Sequence, residues 1–414
     1  MPIIVHVDDL EPGMVLASNI MNEFSVLLAH GRKLNDMDIN TLKRKFPELM
    51  VQVIDPVLDE IVEFQDHAHD QAISREVRRN VATIVTKVSN SVRSGTALTG
   101  DNVAGMQQVI EEMLRYLEEN PVTMAIIEQS HNWNSYLQEH SANVFYLSLV
   151  IGNTIRNYIK QERERLSAAH TVHNAMNLTP LATGSMFHDI GMTPIEHLYT
   201  KKEPLTESEK ALIRTHPERG AEMLPEEIGP MVKLVIRSHH ENQDGTGYPD
   251  GIPGDRINIF ARIIRVADAY AAATATKVYQ QAKSSIRVLY EMLYGPIQSF
   301  YDPAILKVFA SVTQPLPIGA KLKLESGDWA VVVRHNRQNP FAPEIILAYD
   351  EWGDPLGQEE LQTPFFLGER DDVKVMSFAG VDLSFLNGLS EPLEMPVPQQ
   401  VAQSFSETFD FAYP

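Results

Sequence analysis

The sequence predicts a mainly α protein, in which a helical bundle is preceded by a small α+β unit and followed by a small β-rich region. Apolar residues recur at spacings of three and four between about 72 and 312, as in amphipathic helices. Short β-type runs separated by turn residues lie on both sides of this stretch. With 414 residues the chain exceeds the usual size of one domain, so several cores are expected.

Residues 1–118 are predicted to form the α+β unit together with linking helices. The runs "IIVHV" and "FSVLLAH" have β-type composition, and "MDINTLKRKF" has helical spacing. The segments "AISREVRRNVATIVTKVSNSV" and "GMQQVIEEMLRYLEEN" place their apolar residues on one helical face, so they are predicted to lead into the next domain.

Three further regions follow. Residues 119–312 are predicted to form the bundle, because Gly and Pro are confined mainly to its connections. In residues 313–384, runs such as "AKLKLESGDWAVVVRH" and "EIILAYDEWGDP" contain Gly and Asp turns, which predicts a small sheet. Residues 385–414 hold four acids, several prolines and no Lys or Arg, so we expect an acidic appendage or a disordered tail.

Composition limits the partners of this chain. Its formal net charge of −20 argues against nonspecific binding to DNA, RNA or an anionic membrane surface. An anionic substrate would need local positive charge, which metal ions supply. The absence of cysteine leaves His, Asp and Glu as metal ligands. The N-terminus lacks a signal-peptide pattern and apolar runs fall short of roughly 20 residues, so we expect a soluble, cytoplasmic protein without a membrane span.

The helical region contains a set of candidate metal ligands. They are His140, His188, Asp189, His216, His239, His240 and Asp268. Nitrogen and oxygen ligands of this kind suit Fe, Mn, Zn, Ni or Co, and the many histidines disfavour Mg alone. Because adjacent helical residues project about 100° apart, we expect His239 and His240 to serve two different metals. Asp189 is a carboxylate that can bridge two ions, which then hold a hydroxide aimed at phosphorus.

Local signals place these ligands on helices. Thr206 and Glu209 form a capping box for a helix that runs up to His216, and Pro217 opens the next segment. The segment "EIGPMVKLVIRSHHE" predicts a helix with both histidines near its end, and "DGTGYP" stops it. Taken singly, these features are an ordinary polar pair, a solvated helix end and a turn. Their combination in one helical stretch favours a metal site.

These motifs resemble the HD-GYP family of the HD phosphohydrolase superfamily, named for residues that here are His188-Asp189 and Gly247-Tyr248-Pro249. The resemblance covers about 130–312, and "LEPGMVLASNI" is similar to the domain often found before such modules. It implies a bacterial signalling enzyme with a helical HD-type bundle, in which the seven residues above are metal ligands and Asp189 is catalytic. Tyr136 stands where trinuclear members have Glu, which favours two metals, Fe or Mn before Zn, Ni or Co.

The resemblance also implies the substrate and the partners. Family members characteristically hydrolyse cyclic di-GMP, and their Gly-Tyr-Pro loop lies beside the site and offers a surface to diguanylate cyclase-type proteins. A homodimer is left open. Substrate contacts are accordingly predicted at Asp244, Gly247, Tyr248, Pro249 and Lys277, with Tyr248 at the pocket mouth.

This sequence departs from the family pattern at phosphate-binding positions. Met192 replaces a lysine, and Ala271 and Gln280 replace an acid and a base, although Lys277 keeps one cation. Losing one preorganised contact costs on the order of 10²- to 10³-fold in rate. We therefore predict a metal-dependent phosphodiesterase that converts cyclic di-GMP to pGpG and onward to GMP at a reduced rate. The alternatives are a receptor or protein-interaction module without turnover, and a hydrolase of another nucleotide.

Overall fold

The computed structural model describes residues 2–22, 25–47, 49–54, 68–96, 100–120, 136–166, 176–201, 203–275, 284–357 and 359–389. The chain divides into two compact units, one that combines residues 1–66 with 314–393 and one that spans residues 67–313. Within the described ranges, no helix combines the length and the apolar composition that crossing a bilayer would require.

The first unit starts with the predicted α+β elements. Strand β1 (Pro2–His6) pairs antiparallel with β4 (Met50–Ile54), and β2 (Ile20–Asn22) pairs antiparallel with β3 (Ser25–Leu28). Helix α1 (Asp36–Lys45) lies between β3 and β4 and begins at a capping box in which the Asn35 side chain accepts a hydrogen bond from the Asp38 backbone N–H.

A six-stranded antiparallel sheet completes this unit and confirms the predicted β-rich region. The strand order is β10-β9-β5-β6-β7-β8. The strands are β5 (Lys321–Leu324), β6 (Trp329–Arg334), β7 (Glu344–Tyr349), β8 (Phe365–Phe366), β9 (Val375–Phe378) and β10 (Val381–Asp382).

The two ends of the chain share one core. Ile3, Val5 and Leu42 pack in the same buried cluster as Val331 and Ile346. The short N-terminal strands are too small to bury their apolar faces alone, so β6 and β7 supply the missing surface. The contacts thus group residues 1–66 with 314–393, whereas the sequence predicted boundaries at 118 and 313. The predicted acidic tail, 385–414, lies outside the described residues beyond 389.

The second unit is helical, as predicted. Its helices are α2 (Ala68–Ser94), α3 (Gly100–Glu119), α4 (Tyr136–Thr154), α5 (Arg156–Leu166), α6 (Thr179–Phe187), α7 (Glu196–Tyr199), α8 (Glu207–Ile213), α9 (His216–Met223), α10 (Pro230–Ser238), α11 (Ile259–Thr274), α12 (Ser285–Tyr294) and α13 (Pro303–Val312). The predicted linking helices, α2 and α3, pack against α4 and belong to this unit.

Helices α4 and α11 form its centre. Helix α4 is buried over most of its length and contacts α2, α6, α11 and α13. Helix α11 is held by Arg262, whose Nη1 donates to Asp302 Oδ2 at 2.7 Å and whose Nη2 donates to Glu162. Tyr158 donates to the same Asp302 oxygen at 3.0 Å. A buried, paired arginine of this kind fixes one helix against its neighbours, and Asp268 lies on the helix that it fixes.

Candidate metal centre

Chain segments far apart in sequence bring the seven predicted ligands together. His140 lies near the start of α4, His188 and Asp189 directly follow α6, and His216 is the first residue of α9. His239 and His240 directly follow α10, and Asp268 lies within α11. The predicted capping box at Thr206 and Glu209 is confirmed, and it starts the short helix before His216. The ligands therefore sit on helix ends and one buried helix, which are rigid supports.

Gly191 allows the turn after His188 to approach α9. A Cβ atom at Gly191 would lie 2.1 Å from the carbonyl oxygen of His216 and 2.7 Å from the backbone nitrogen of Gly220. No side chain fits such a gap, so only glycine lets the segment that carries Asp189 reach the start of the helix that carries His216.

The ligand atoms form two groups that share Asp189. One group contains Asp189, His216, His239 and His240, the other contains His140, His188 and Asp189, and one atom from each member lies within 4.8 Å of the rest of its group. The two Asp189 oxygens face different groups. Oδ1 lies 3.1 Å from His216 Nε2, and Oδ2 lies 3.5 Å from His188 Nε2.

Asp268 adds a second carboxylate to the cluster. Its Oδ1 lies 2.9 Å from His140 Nε2, and its Oδ2 lies 3.7 Å from His240 Nδ1. It therefore faces one histidine of each group.

The structure places His239 and His240 in the same group, which favours one shared metal over the two different metals expected from the sequence. Their ring centroids lie only 4.2 Å apart. The expectation assumed helical geometry for both residues. Helix α10, however, ends at Ser238, so His240 already lies in the turn that follows.

Backbone carbonyls fix the tautomers of three histidines. The Nδ1 atoms of His188, His216 and His239 lie 2.9, 2.7 and 2.6 Å from the carbonyl oxygens three residues earlier. Each Nδ1–H donates to its carbonyl, so each Nε2 lone pair points into the cluster. Histidines that bind a metal through Nε2 typically donate their Nδ1–H to an acceptor of this kind.

The inward-facing nitrogens lack sufficient protein partners. His188 Nε2 is buried without a hydrogen-bond partner among the described residues. His216 Nε2 lies 3.1 Å from His239 Nε2 and also 3.1 Å from Asp189 Oδ1, and one proton cannot serve both contacts. Divalent cations at the cluster would satisfy all of these atoms, so the residues present fit metal ions.

Electrostatics favour the metal-binding protonation states. Burial lowers the pKa of His188, and it lowers the pKa of His239 to about 3 with help from the charges of His188 and His216. Burial also lowers the pKa of His240 well below its ordinary value. These imidazoles are therefore neutral at pH 7, which is the form that binds metals.

The two carboxylates are ionised for a different reason. Burial alone would raise the pKa values of Asp189 and Asp268, but the neighbouring histidines lower both pKa values below the ordinary one. For His216, burial opposes protonation, yet its hydrogen bond to Asp189 raises its pKa overall. The proton between His216 and Asp189 therefore lies where a metal cation could bind instead.

The glycine-rich loop folds tightly against the backbone of the histidine pair. A Cβ atom at Gly247 would lie 2.3 Å from the backbone nitrogen of Asn242 and 2.5 Å from the carbonyl oxygen of His240. The Tyr248 N–H donates to that same carbonyl at 3.1 Å. The peptide bond between Tyr248 and Pro249 is cis. Gly247 therefore permits the approach that brings Tyr248 beside His240, and their rings stack at 4.8 Å.

Glu241 fixes the far side of this loop. Its carboxylate is buried and accepts hydrogen bonds from the backbone N–H groups of Asp250, Gly251 and Ile252 at 2.7, 3.2 and 3.1 Å. Glu241 thus holds the loop by hydrogen bonds to its backbone.

Replacing Glu241 with alanine should therefore destabilise the protein. The change leaves three backbone N–H groups without their acceptor, and we expect the free energy of unfolding to fall by about 3 kcal/mol. Urea unfolding monitored by circular dichroism measures this loss. Glu241→Gln keeps one carbonyl acceptor and should lose less, so an unchanged midpoint in Glu241→Ala would contradict the assigned role.

The predicted substrate-binding residues lie in different places. Tyr248 lines a cleft of about 240 Å³ that also exposes His140, Asp189 and Asp268. Asp244 is exposed and does not line this cleft, because its carboxylate accepts hydrogen bonds from Thr246 and from Ser299 Oγ. Gly247 and Pro249 shape the loop without lining the cleft. Lys277 and Gln280 lie outside the described residues.

The other two departures from the family pattern are apolar positions in the structure. Met192 lines the cleft and packs with Leu137, Ile195 and Leu198 in a buried cluster. Ala271 is buried in α11, one turn after Asp268. Neither position brings a charge to the cleft.

Two arginines near the cleft were missed by the sequence analysis. The Arg214 guanidinium carbon lies 5.8 Å from the centre of the Tyr248 ring. Arg265 Nε donates to Asn242 Oδ1 at 2.9 Å, and its guanidinium lies over the ring of Tyr301. Arg265 was predictable, since a residue three positions before Asp268 shares its helical face. Arg214 was not, because it follows the last residue of α8 and precedes α9.

The fold and the site define a class of protein: a helical domain that presents a buried histidine and aspartate cluster suited to metal ions. A family model described as the HD domain matches residues 145–305. Residues 145–305 therefore match an HD domain, and the His-Asp and Gly-Tyr-Pro motifs of this segment are those of the HD-GYP family.

Curated relatives match parts of the chain. Cyclic di-GMP phosphodiesterase PA4108 of Pseudomonas aeruginosa is 31% identical over 163 residues, which are 39% of each chain. Cyclic di-GMP phosphodiesterase PdeB of Borreliella burgdorferi is 28% identical over 210 residues, which are 50% of each chain. The response regulator RpfG of Xanthomonas campestris pv. campestris, also named a cyclic di-GMP phosphodiesterase, is 34% identical over 28% of this chain and 32% of its own. The chain thus spans half or less of the length of these relatives.

Proposed function

We propose that this protein is a metal-dependent phosphodiesterase that hydrolyses cyclic di-GMP at the Asp189 cluster. One observation carries the proposal: two ligand groups share Asp189, and His188 Nε2 is buried there without a hydrogen-bond partner among the described residues. The names of the relatives support the choice of substrate.

Divalent ions held by these residues would lower the pKa of a bound water and neutralise charge on the phosphodiester. We propose two ions, with Fe or Mn as the first candidates, because the ligand groups are rich in imidazole and share one carboxylate. His140 and His188 would hold one ion, while His216, His239 and His240 would hold the other.

The remaining roles belong to the chain itself. Asp189, with one oxygen towards each group, is the residue that would bridge the ions. Asp268 faces His140 and His240 and would complete both sites. Tyr248, stacked on His240, would cover the mouth of the cleft, and Arg214 against its ring would bring positive charge near the phosphate. Water adds to phosphorus, the P–O3′ bond breaks, and the product is linear pGpG.

Turnover by the full chain tests this proposal. We expect Mn- or Fe-loaded protein to convert cyclic di-GMP to pGpG and, more slowly, to GMP, as followed by liquid chromatography. Nucleotide that stays unchanged over hours, in protein shown to hold metal, would contradict it. Assaying other cyclic dinucleotides and mononucleotides alongside identifies a hydrolase of another nucleotide.

One observation favours a receptor as the second candidate. Met192 stands where the family pattern has lysine and packs in an apolar cluster, so this wall offers the phosphate no charge. A receptor predicts stoichiometric binding of cyclic di-GMP without product. Product formation that disappears in Asp189→Ala would exclude it.

A further inference from the structure

The cleft at the metal centre has two chemically different halves. One half exposes His140, Asp189, His216, His240 and Asp268, which are the candidate ligands. The other half is mainly aromatic and apolar. Its lining residues include Tyr136, Met192, Tyr199, Leu205 and Ile213, with Thr200 beside them. A ligand that fills the cleft must therefore combine an anionic part with an apolar part.

The apolar half presents two aromatic rings, each at the end of a helix. Tyr136 opens α4 and stacks on the ring of His140, with centroids 5.6 Å apart and planes 3° from parallel. Tyr199 ends α7, and its ring lies 6.2 Å from that of Tyr136 at an interplanar angle of 39°. Tyr199 also packs against the buried cluster that contains Met192 and Leu198.

The aromatic surface is accessible to a ligand in the cleft. Tyr136 and Tyr199 are only partly buried, and both line the cleft next to the ligand atoms. An aromatic face beside a cation site suits the flat, apolar face of a nucleotide base, since every base can stack on such a ring. The cleft, at about 240 Å³, is smaller than the roughly 300 to 1,000 Å³ of pockets that enclose a whole drug-sized ligand. It is therefore sized for one part of a dinucleotide.

We propose that Tyr136, Met192 and Tyr199 form a base-stacking surface that holds one purine base of the substrate while its phosphate lies at the metal centre. The inference rests on the proposed function for the identity of the substrate. The apolar Met192 completes the surface for the base. Stacking of the base then compensates for the phosphate contact that a lysine at position 192 would supply. The surface acts on affinity for purine nucleotides, not on the bond that breaks.

Binding of GMP and ribose 5-phosphate isolates the contribution of the base. Both ligands carry the same phosphate and pentose, so the ratio of their dissociation constants, measured by calorimetry on the Mn-loaded full chain, reports the base alone. We expect the wild-type protein to bind GMP roughly 10-fold more tightly than ribose 5-phosphate.

Tyr199→Leu should remove most of this preference, while the matched control Tyr199→Phe should keep it, because phenylalanine retains the ring. Tyr136→Leu is the second variant. Its metal content is measured alongside, since Tyr136 contacts His140. Circular dichroism verifies that each variant is folded. For cyclic di-GMP, Tyr199→Leu should raise KM about 10-fold with a much smaller effect on kcat.

Equal affinities of the wild-type protein for GMP and ribose 5-phosphate would overturn the stacking surface. So would an unchanged preference for GMP in folded Tyr199→Leu and Tyr136→Leu. These results are independent of turnover. If the protein prefers GMP through Tyr199 but never cleaves cyclic di-GMP, the proposed phosphodiesterase activity is contradicted and the proposed stacking surface is supported.

Discussion

Replacing Asp189 with alanine is expected to abolish hydrolysis of cyclic di-GMP. Asp189 contributes to both ligand groups, so its removal weakens two metal sites at once and leaves His188 and His216 without their shared carboxylate. We expect kcat to fall by at least about 10⁴-fold, or roughly 5.5 kcal/mol at 1.36 kcal/mol per tenfold. Metal content should fall in the same variant, which plasma mass spectrometry on dialysed protein measures.

A matched control separates this effect from the general loss of a carboxylate. Glu227 is exposed in the short turn before α10, away from the ligand set. Glu227→Ala should retain wild-type metal content and turnover. If folded Asp189→Ala cleaves cyclic di-GMP at the wild-type rate, the shared carboxylate is not the catalytic centre.

Acid should destabilise the metal-free protein strongly. The pKa values of His188, His239 and His240 are lowered in the folded state, mainly by burial. Below the ordinary histidine pKa of 6.5, these residues bind protons in the unfolded chain but stay neutral in the folded state. The free energy of unfolding therefore falls as pH falls. For His239 alone, a pKa of about 3 corresponds to a loss of roughly 5 kcal/mol between pH 6.5 and 3.

His216 acts in the opposite direction. Its pKa is raised in the folded state, so its stabilising contribution is complete below 6.5 and is lost as pH rises through the raised value. The three histidines with lowered pKa values outweigh the one histidine with a raised pKa, so the net result is a loss of stability on acidification. Asp189 and Asp268, whose pKa values are lowered, add to this loss at pH values below about 4.

Thermal unfolding of EDTA-treated protein between pH 7 and 4 measures this effect. His239→Asn should flatten the pH profile, while His197→Asn should leave it unchanged, because His197 is exposed and lies outside the cluster. A melting temperature that stays constant or rises from pH 7 to 5 would contradict the buried, neutral state of these histidines.

The sequence identified seven candidate ligands that the structure brings together, but it did not indicate how they divide into two groups. Helical spacing, the Thr206 capping box and the glycine-rich loop correctly located the segments around His216 and His240. The close approach of His239 to His240 was not predicted, because it depends on where α10 ends, and helix ends are set by tertiary contacts that periodicity does not contain.

Contacts between segments that are distant in the chain could not be predicted from the sequence either. Nothing in the sequence around Val331 indicates that it shares a core with Ile3, since packing between chain ends leaves no local pattern. The same holds for Arg214 over Tyr248 and for Tyr199 beside Tyr136. Contact with diguanylate cyclase-type proteins and a homodimer stay predictions.

Anomalous X-ray scattering from crystals of Mn- or Fe-loaded protein tests the central claim most directly. We expect two peaks per chain, one within reach of His140 and His188, the other within reach of His216, His239 and His240, with Asp189 between them. Metal-loaded crystals that show no peak at Asp189, or peaks only at other residues, would contradict the account.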